Sequence, residues 1–147
     1  MGQVWLGMSD ELWEEVYQVV GRLMKTMNLP HWRIKLSREP DDEDTGASIH
    51  PIDGQWVATM KLGIYWHTMT VADKRNSLVH ELIHVHLQPM NDVMRLGLPV
   101  ILGQPIYATL WESFRQQNEY GVDAISRFVA EMIEWDGAFE PKDEEEL

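Results

Sequence analysis

Residues 77–87 (SLVHELIHVHL) have one secondary structure that sorts their polar from their apolar side chains. On a helix, Leu78, Leu82 and Val85 form one stripe with Val79 and Ile83 beside it, which makes a buried back face. His80 and His84 are four apart and share another face, turned toward a cleft, where two imidazoles can reach one metal ion. Glu81 lies one residue round, placed to hold an attacking water and take its proton. His-Glu-x-x-His in a helical, apolar setting is the pattern of a zinc hydrolase site, so this helix is expected to carry both the core and the chemistry.

Two histidines leave zinc short of the three protein ligands that a catalytic site usually holds. A third histidine six residues past the motif is excluded, because that position is Met90. Asn118-Glu119-Tyr120-Gly121-Val122-Asp123 offers a carboxylate instead. Glu119 and Asp123 are four apart and share a helix face. Val122, Ile125, Val129 and Met132 form a neighbouring apolar stripe expected to pack on the motif helix. Glu119 is the leading candidate for the third ligand, with Asp123 accepting the spare N–H of a ligand histidine. Glu112, seven residues before Glu119 and on the same face of a continuous helix, is a rival, as are Asp123 itself, Asp92 and Glu131.

His-Glu-x-x-His followed by Asn-Glu-x-x-x-Asp resembles the gluzincin branch of the zincin metallopeptidases, over roughly residues 55–133. The order of elements is similar to minimal zincin domains, such as small metallopeptidases of bacteriophage and bacteria. The resemblance implies His80, His84 and Glu119 as zinc ligands, Glu81 as general base, Asp123 as the acid supporting a histidine, and peptide bonds as the substrate. Residue chemistry alone reaches only metal-assisted hydrolysis. Two histidines and a carboxylate also suit iron or manganese, although the acid inside the motif favours hydrolysis. A different class of function fits the same residues: a metal-bound protein-interaction module without turnover, for which the seven Trp would line a partner groove.

The rest of the chain frames this site. At 147 residues with 44% apolar content, a single domain spanning residues 1–147 with a real core is expected. Cysteine is absent, so neither disulfides nor thiolate-held zinc can contribute. A net charge of −12 argues against a phosphate-gripping surface, hence against direct nucleic-acid binding. No N-terminal secretion pattern and no apolar run near 18 residues is present, which leaves a cytoplasmic protein off the membrane as the expectation.

Along the chain, residues 9–27 are expected to form a helix capped by Ser9, and residues 32–36 a half-buried strand. Residues 39–46 read as a solvated acidic loop; calcium is disfavoured because the EF-hand spacing is missing. Residues 47–52 and 55–60 flank Asp53-Gly54, which predicts a hairpin with a type I′ turn; the apolar run then goes on to Trp66 or breaks at Gly63. Thr70 and Asp73 predict the start of the motif helix, to run over residues 71–87 and stop near Pro89. Residues 90–105, punctuated by glycine and proline, are expected to be a loop over or beside the cleft. Residues 106–135 are expected to be helical, as one helix or as two meeting near Gly121, followed by a frayed acidic tail over 142–147. The fold class is therefore α+β and zincin-like: an N-terminal helix, a small twisted sheet with a hairpin, the motif helix and one or two C-terminal helices. For stabilising a developing oxyanion, His67 at the cleft rim is the first candidate, with Tyr65, Tyr107 and Tyr120 behind it. His86, about 200° round the helix from His84, is expected at the surface. His31 and His50 have no evident partner.

Overall fold

The computed structural model describes residues 7–42 and 45–142. The first helix, α1 (Asp10–Thr26), begins where Ser9 accepts the Leu12 N–H at 3.2 Å, with Asp10 and Glu11 in the turn where the helix dipole favours acids. It ends as Asn28 enters the left-handed region (φ 57°) and the Leu29 N–H turns back to the Met24 carbonyl at 2.7 Å. Its Val16, Val19, Val20 and Leu23 are buried, as their helical spacing requires.

Three strands follow: β1 (Arg33–Leu36), β2 (Ala47–Pro51) and β3 (Val57–Leu62). They form one sheet in the order β1-β3-β2, with β3 parallel to β1 and antiparallel to β2. As the central strand, β3 buries alternate residues: Ala58, Met60 and Leu62 are wholly inaccessible. The hairpin between β2 and β3 forms, but not through a two-residue type I′ turn. The Gln55 N–H bonds the Ile52 carbonyl at 3.1 Å, and only Gly54 of the central pair has a positive φ (69°). That is type II geometry, which needs a left-handed residue only at its third position. Pairing resumes at Val57, so β3 lies further along the chain than expected and breaks at Gly63.

Gly63 is fixed by steric demand. A Cβ there would lie 1.6 Å from the Thr45 carbonyl oxygen, because the acidic loop crosses the end of β3 with Gly63 N–H bonded to the Gly46 carbonyl at 2.9 Å. Overpacking usually costs about 1–3 kcal/mol, and here the obstacle is backbone, so Gly63→Ala is expected to lower stability by more than about 3 kcal/mol in urea denaturation. An unchanged midpoint would show that the loop crossing is not part of the folded state.

A 3-10 turn (Trp66–Thr68) leads into α2 (Val71–Asp92), which Thr70 caps by accepting the Asp73 N–H at 3.1 Å. Leu78, Val79, Leu82, Ile83 and Val85 are buried, all of the expected back face. The helix does not stop near Pro89. It passes through that residue to Asp92, continues as a π turn (Val93–Gly97) and then as α3 (Leu98–Leu102). The expected loop over residues 90–105 is therefore helical, and the cleft lining from this part of the chain ends at Asn91. Proline's fixed φ suits a helix, and Pro99 and Pro105 each occupy a first turn, where no N–H is needed. Gly103, at φ 75°, makes the actual break.

The last helix, α4 (Gln104–Met132), runs through Gly121 without interruption, so one C-terminal helix forms rather than two. Val122 is buried and Val129 packs on the core, but Ile125 and Met132 remain 51% and 70% exposed, so the expected four-residue stripe is only half used by this chain. Residues beyond Met132, read from sequence as helix to residue 135 and little else, return to the core. Phe139 meets Trp66 edge to face at 5.5 Å, and Arg75 of α2 donates two hydrogen bonds to the Ala138 carbonyl at 3.1 and 2.8 Å. Of the expected acidic tail only Lys142 is described, paired with Glu11 at 2.6 Å; the rest lies outside the described residues. The architecture is α+β, a three-stranded mixed sheet with helices packed on it. Among the described residues no helix is long and apolar enough to cross a membrane.

Candidate metal centre

Burial of the back of α2 decides where its histidines go. With Leu78, Leu82 and Val85 anchored in the core, His80 and His84 face a cleft of about 640 Å³ between α2, α4 and the edge strand β2. Their Nε2 atoms lie 3.1 Å apart. Glu119 arrives from α4, 39 residues after His80, with Oε2 at 3.2 Å from His80 Nε2 and Oε1 at 3.0 Å from His84 Nε2. Ligand atoms of these three residues all lie within 4.8 Å of one another, the one such group of histidines and acids among the described residues. Tetrahedral zinc with bonds of about 2.0–2.2 Å separates its ligand atoms by about 3.3–3.6 Å, so a small outward adjustment accommodates the ion. Two imidazole nitrogens and a carboxylate oxygen are a donor set that zinc accepts.

Among the rival ligands, Glu112 is half-exposed and pairs with Arg115 at 3.0 Å, and Asp92 pairs with Arg95 at 3.3 Å. Neither they nor Glu131 joins the cluster. Asp123 stands behind it: Oδ1 is 3.9 Å from His80 Nδ1, too long for a direct hydrogen bond, while Oδ2 accepts from Arg127 Nε at 3.0 Å. It therefore faces the His80 ring without bonding to it directly.

Glu81 lines the same cleft, and its carboxylate accepts the Ile49 N–H from β2. Burial, then the neighbouring charge of Glu119 and the more distant one of Asp41, push its pKa up to about 8, with the Ile49 hydrogen bond opposing. A cation held by the three ligands would act in the opposite direction, favouring the ionised base. Burial also lowers the His84 pKa, which keeps a ligand nitrogen free of its proton.

His67 is placed elsewhere. It is exposed on the 3-10 turn and does not line the cleft, nor do Tyr65, Tyr107 or Tyr120. Tyr107 instead stacks with Trp111 at 6.1 Å. The imidazole in the cleft beyond the metal cluster is His50, which sequence reading left without a partner. Its Nε2 is 3.1 Å from Ser48 Oγ and 3.7 Å from Oδ2 of the buried Asp41, to which the Ser48 hydroxyl also donates. The alternation of β2 could have put Ser48 and His50 on one face; the acid that joins them comes from the loop before it. His86 is exposed, as expected. A second cleft, of about 660 Å³ near Arg75 and Trp135, holds no such ligand group.

No protein-family model, no curated protein and no solved structure matches this chain.

Proposed function

We propose that the chain is a zinc-dependent metallopeptidase of the gluzincin kind. The observation that carries this reading is the meeting of His80, His84 and Glu119 from two helices, with Glu81 in the same cleft. In this reading His80, His84 and Glu119 hold one zinc ion per chain, with Asp123 as the acid on the far side of the His80 ring, facing its spare Nδ1. When bound, zinc would polarise a carbonyl group and make a water more acidic. Glu81 takes the proton of the attacking water and delivers it to the departing amine. The Ile49 N–H holds the Glu81 carboxylate in place between these two transfers. Strand β2 is an outer edge of the sheet beside this group; its Ile49 N–H is taken by Glu81, and its outward carbonyls can accept backbone N–H groups of an extended peptide. That feature favours a peptide over a small-molecule substrate.

The direct test is zinc content of protein stripped with a chelator and reloaded, together with hydrolysis of an unstructured labelled polypeptide. Wild type and Glu112→Ala are expected to hold about one zinc per chain and to cleave, as three-ligand catalytic sites do. Glu119→Ala is expected to lose both. Full zinc in Glu119→Ala with loss in Glu112→Ala would reverse the ligand assignment, and wild type that takes up no zinc would end the enzyme reading.

A further inference from the structure

Acids outnumber Lys and Arg by 24 to 12 in this chain, so a cation with no acid beside it calls for a reason. Seven of the twelve are in ion pairs. Among the described residues Arg33, Lys35 and Lys61 pair with no acid, and all three stand on one face of the sheet. Strand alternation puts them there. Ile34, Leu36, Ile49, Ala58, Met60 and Leu62 point to the other face, into the core with the helices. The opposite face presents Arg33 and Lys35 of β1, Thr59 and Lys61 of β3, and Ser48 and His50 of β2. Arg33, Lys35 and His50 are exposed, and none of the three strands carries an acid. Asp41 reaches this face from the loop before β2, but it is buried and accepts the Ser48 hydroxyl.

This face runs into the metal cleft. Ser48 and His50 belong to both, since they also line the cleft. The register places His50, Thr59 and Lys35 in one row across the three strands. Lys35 is therefore two strand spacings, about 10 Å, from the cleft wall. About three residues of extended chain cover that distance.

We propose that this face docks an acidic, extended segment of the polypeptide that the cleft cuts. That the segment belongs to a substrate rests on the peptidase reading; the docking itself does not. Charge and spacing select the occupant. Arg33 and Lys35, two apart on one strand, are separated by about 6.6 Å, and Lys61 is a diagonal neighbour of Lys35 at about 8 Å. An extended peptide repeats its same-face side chains at about 6.6 Å, so acids at alternate positions meet the cations in turn. A neutral or basic segment finds no counter-charge here. A nucleic acid would need rings on which to stack its bases, and the three strands carry no Trp, Tyr or Phe. The net charge of −12 also repels a long polyphosphate, while a short acidic segment meets mainly the local cations.

Fluorescence anisotropy tests this with a labelled peptide of alternating Glu and Ser, titrated with the full chain at low ionic strength. The same peptide with Gln for Glu is the control. The Glu peptide is expected to bind at least about tenfold more tightly, and the difference to fall away near 1 M salt, where the screening length is about 3 Å. Lys35→Glu together with Lys61→Glu is expected to abolish that preference at normal zinc content. Arg33→Gln together with Lys35→Gln, which alters only exposed side chains, is expected to lose most of it. Binding is expected with or without zinc, because the cations lie outside the metal cluster. Equal binding of the two peptides overturns the proposal, as does a preference that survives both double variants. A preference that vanishes when zinc is stripped puts the acids on the metal and overturns it as well. So does tighter binding of a single-stranded oligonucleotide than of the Glu peptide. Docking that follows these expectations with no hydrolysis of any peptide keeps the docking face and removes the peptidase reading.

Discussion

In Glu81→Gln, zinc content is expected to stay at the wild-type level while peptide hydrolysis falls by about 10²–10⁴-fold, the usual contribution of a general base. The reason lies in what the substitution spares. Glutamine keeps the shape of the side chain and an oxygen that can accept the Ile49 N–H, so the cleft is not rebuilt. It also removes a buried carboxyl, which costs stability when ionised, so the variant is not expected to unfold. What it lacks is a site for the proton. Single-turnover measurement with zinc held saturating separates this from a loss of metal. Undiminished hydrolysis with full zinc would remove Glu81 from the chemistry. If no hydrolysis is found in wild type either, and a partner binds wild type and Glu81→Gln equally, the non-catalytic interaction module becomes the better reading.

The second large effect is on stability. Zinc bound to the folded chain alone is expected to stabilise it by about 4 kcal/mol at a free concentration a thousand times the dissociation constant. For a domain of this size that raises Tm by roughly 8–16 °C. The pairing of His80 and His84 with Glu119 joins α2 to α4, so the gain comes from tying the last long helix to the core. In His84→Ala two ligands remain, and zinc at the same concentration is expected to leave Tm almost unchanged. Scanning calorimetry with and without zinc reads this directly. A zinc-dependent rise in His84→Ala equal to wild type would place the ion elsewhere.

Much of this organisation was legible in the sequence because it depends on local periodicity. The spacing of Leu78, Leu82 and Val85 oriented α2, and with it His80 and His84. Caps at Ser9 and Thr70 set helix starts to within a residue, since each satisfies an N–H of its own first turn. The loop expected over residues 90–105 does not form: Pro89, Pro99 and Pro105 sit in helices because proline forbids only particular hydrogen bonds. Of the two arrangements open at Gly121 the continuous helix forms, because a helix can absorb the cost of one glycine.

The sequence by itself determined the motif helix, its buried face and the two histidines, all consequences of neighbours within a few turns. It put Glu119 first for the third ligand, ahead of Glu112, Asp123, Asp92 and Glu131, on the strength of a short motif and without any contact to rest on. Only the tertiary structure decided that Glu119 reaches the histidines while Glu112, about two turns earlier, turns to Arg115. It likewise placed His50 rather than His67 in the cleft, and folded residues 135–139 back onto Trp66. Each of these depends on how far one element sits from another. That distance is set by the packing of side chains remote in sequence, which no local pattern encodes.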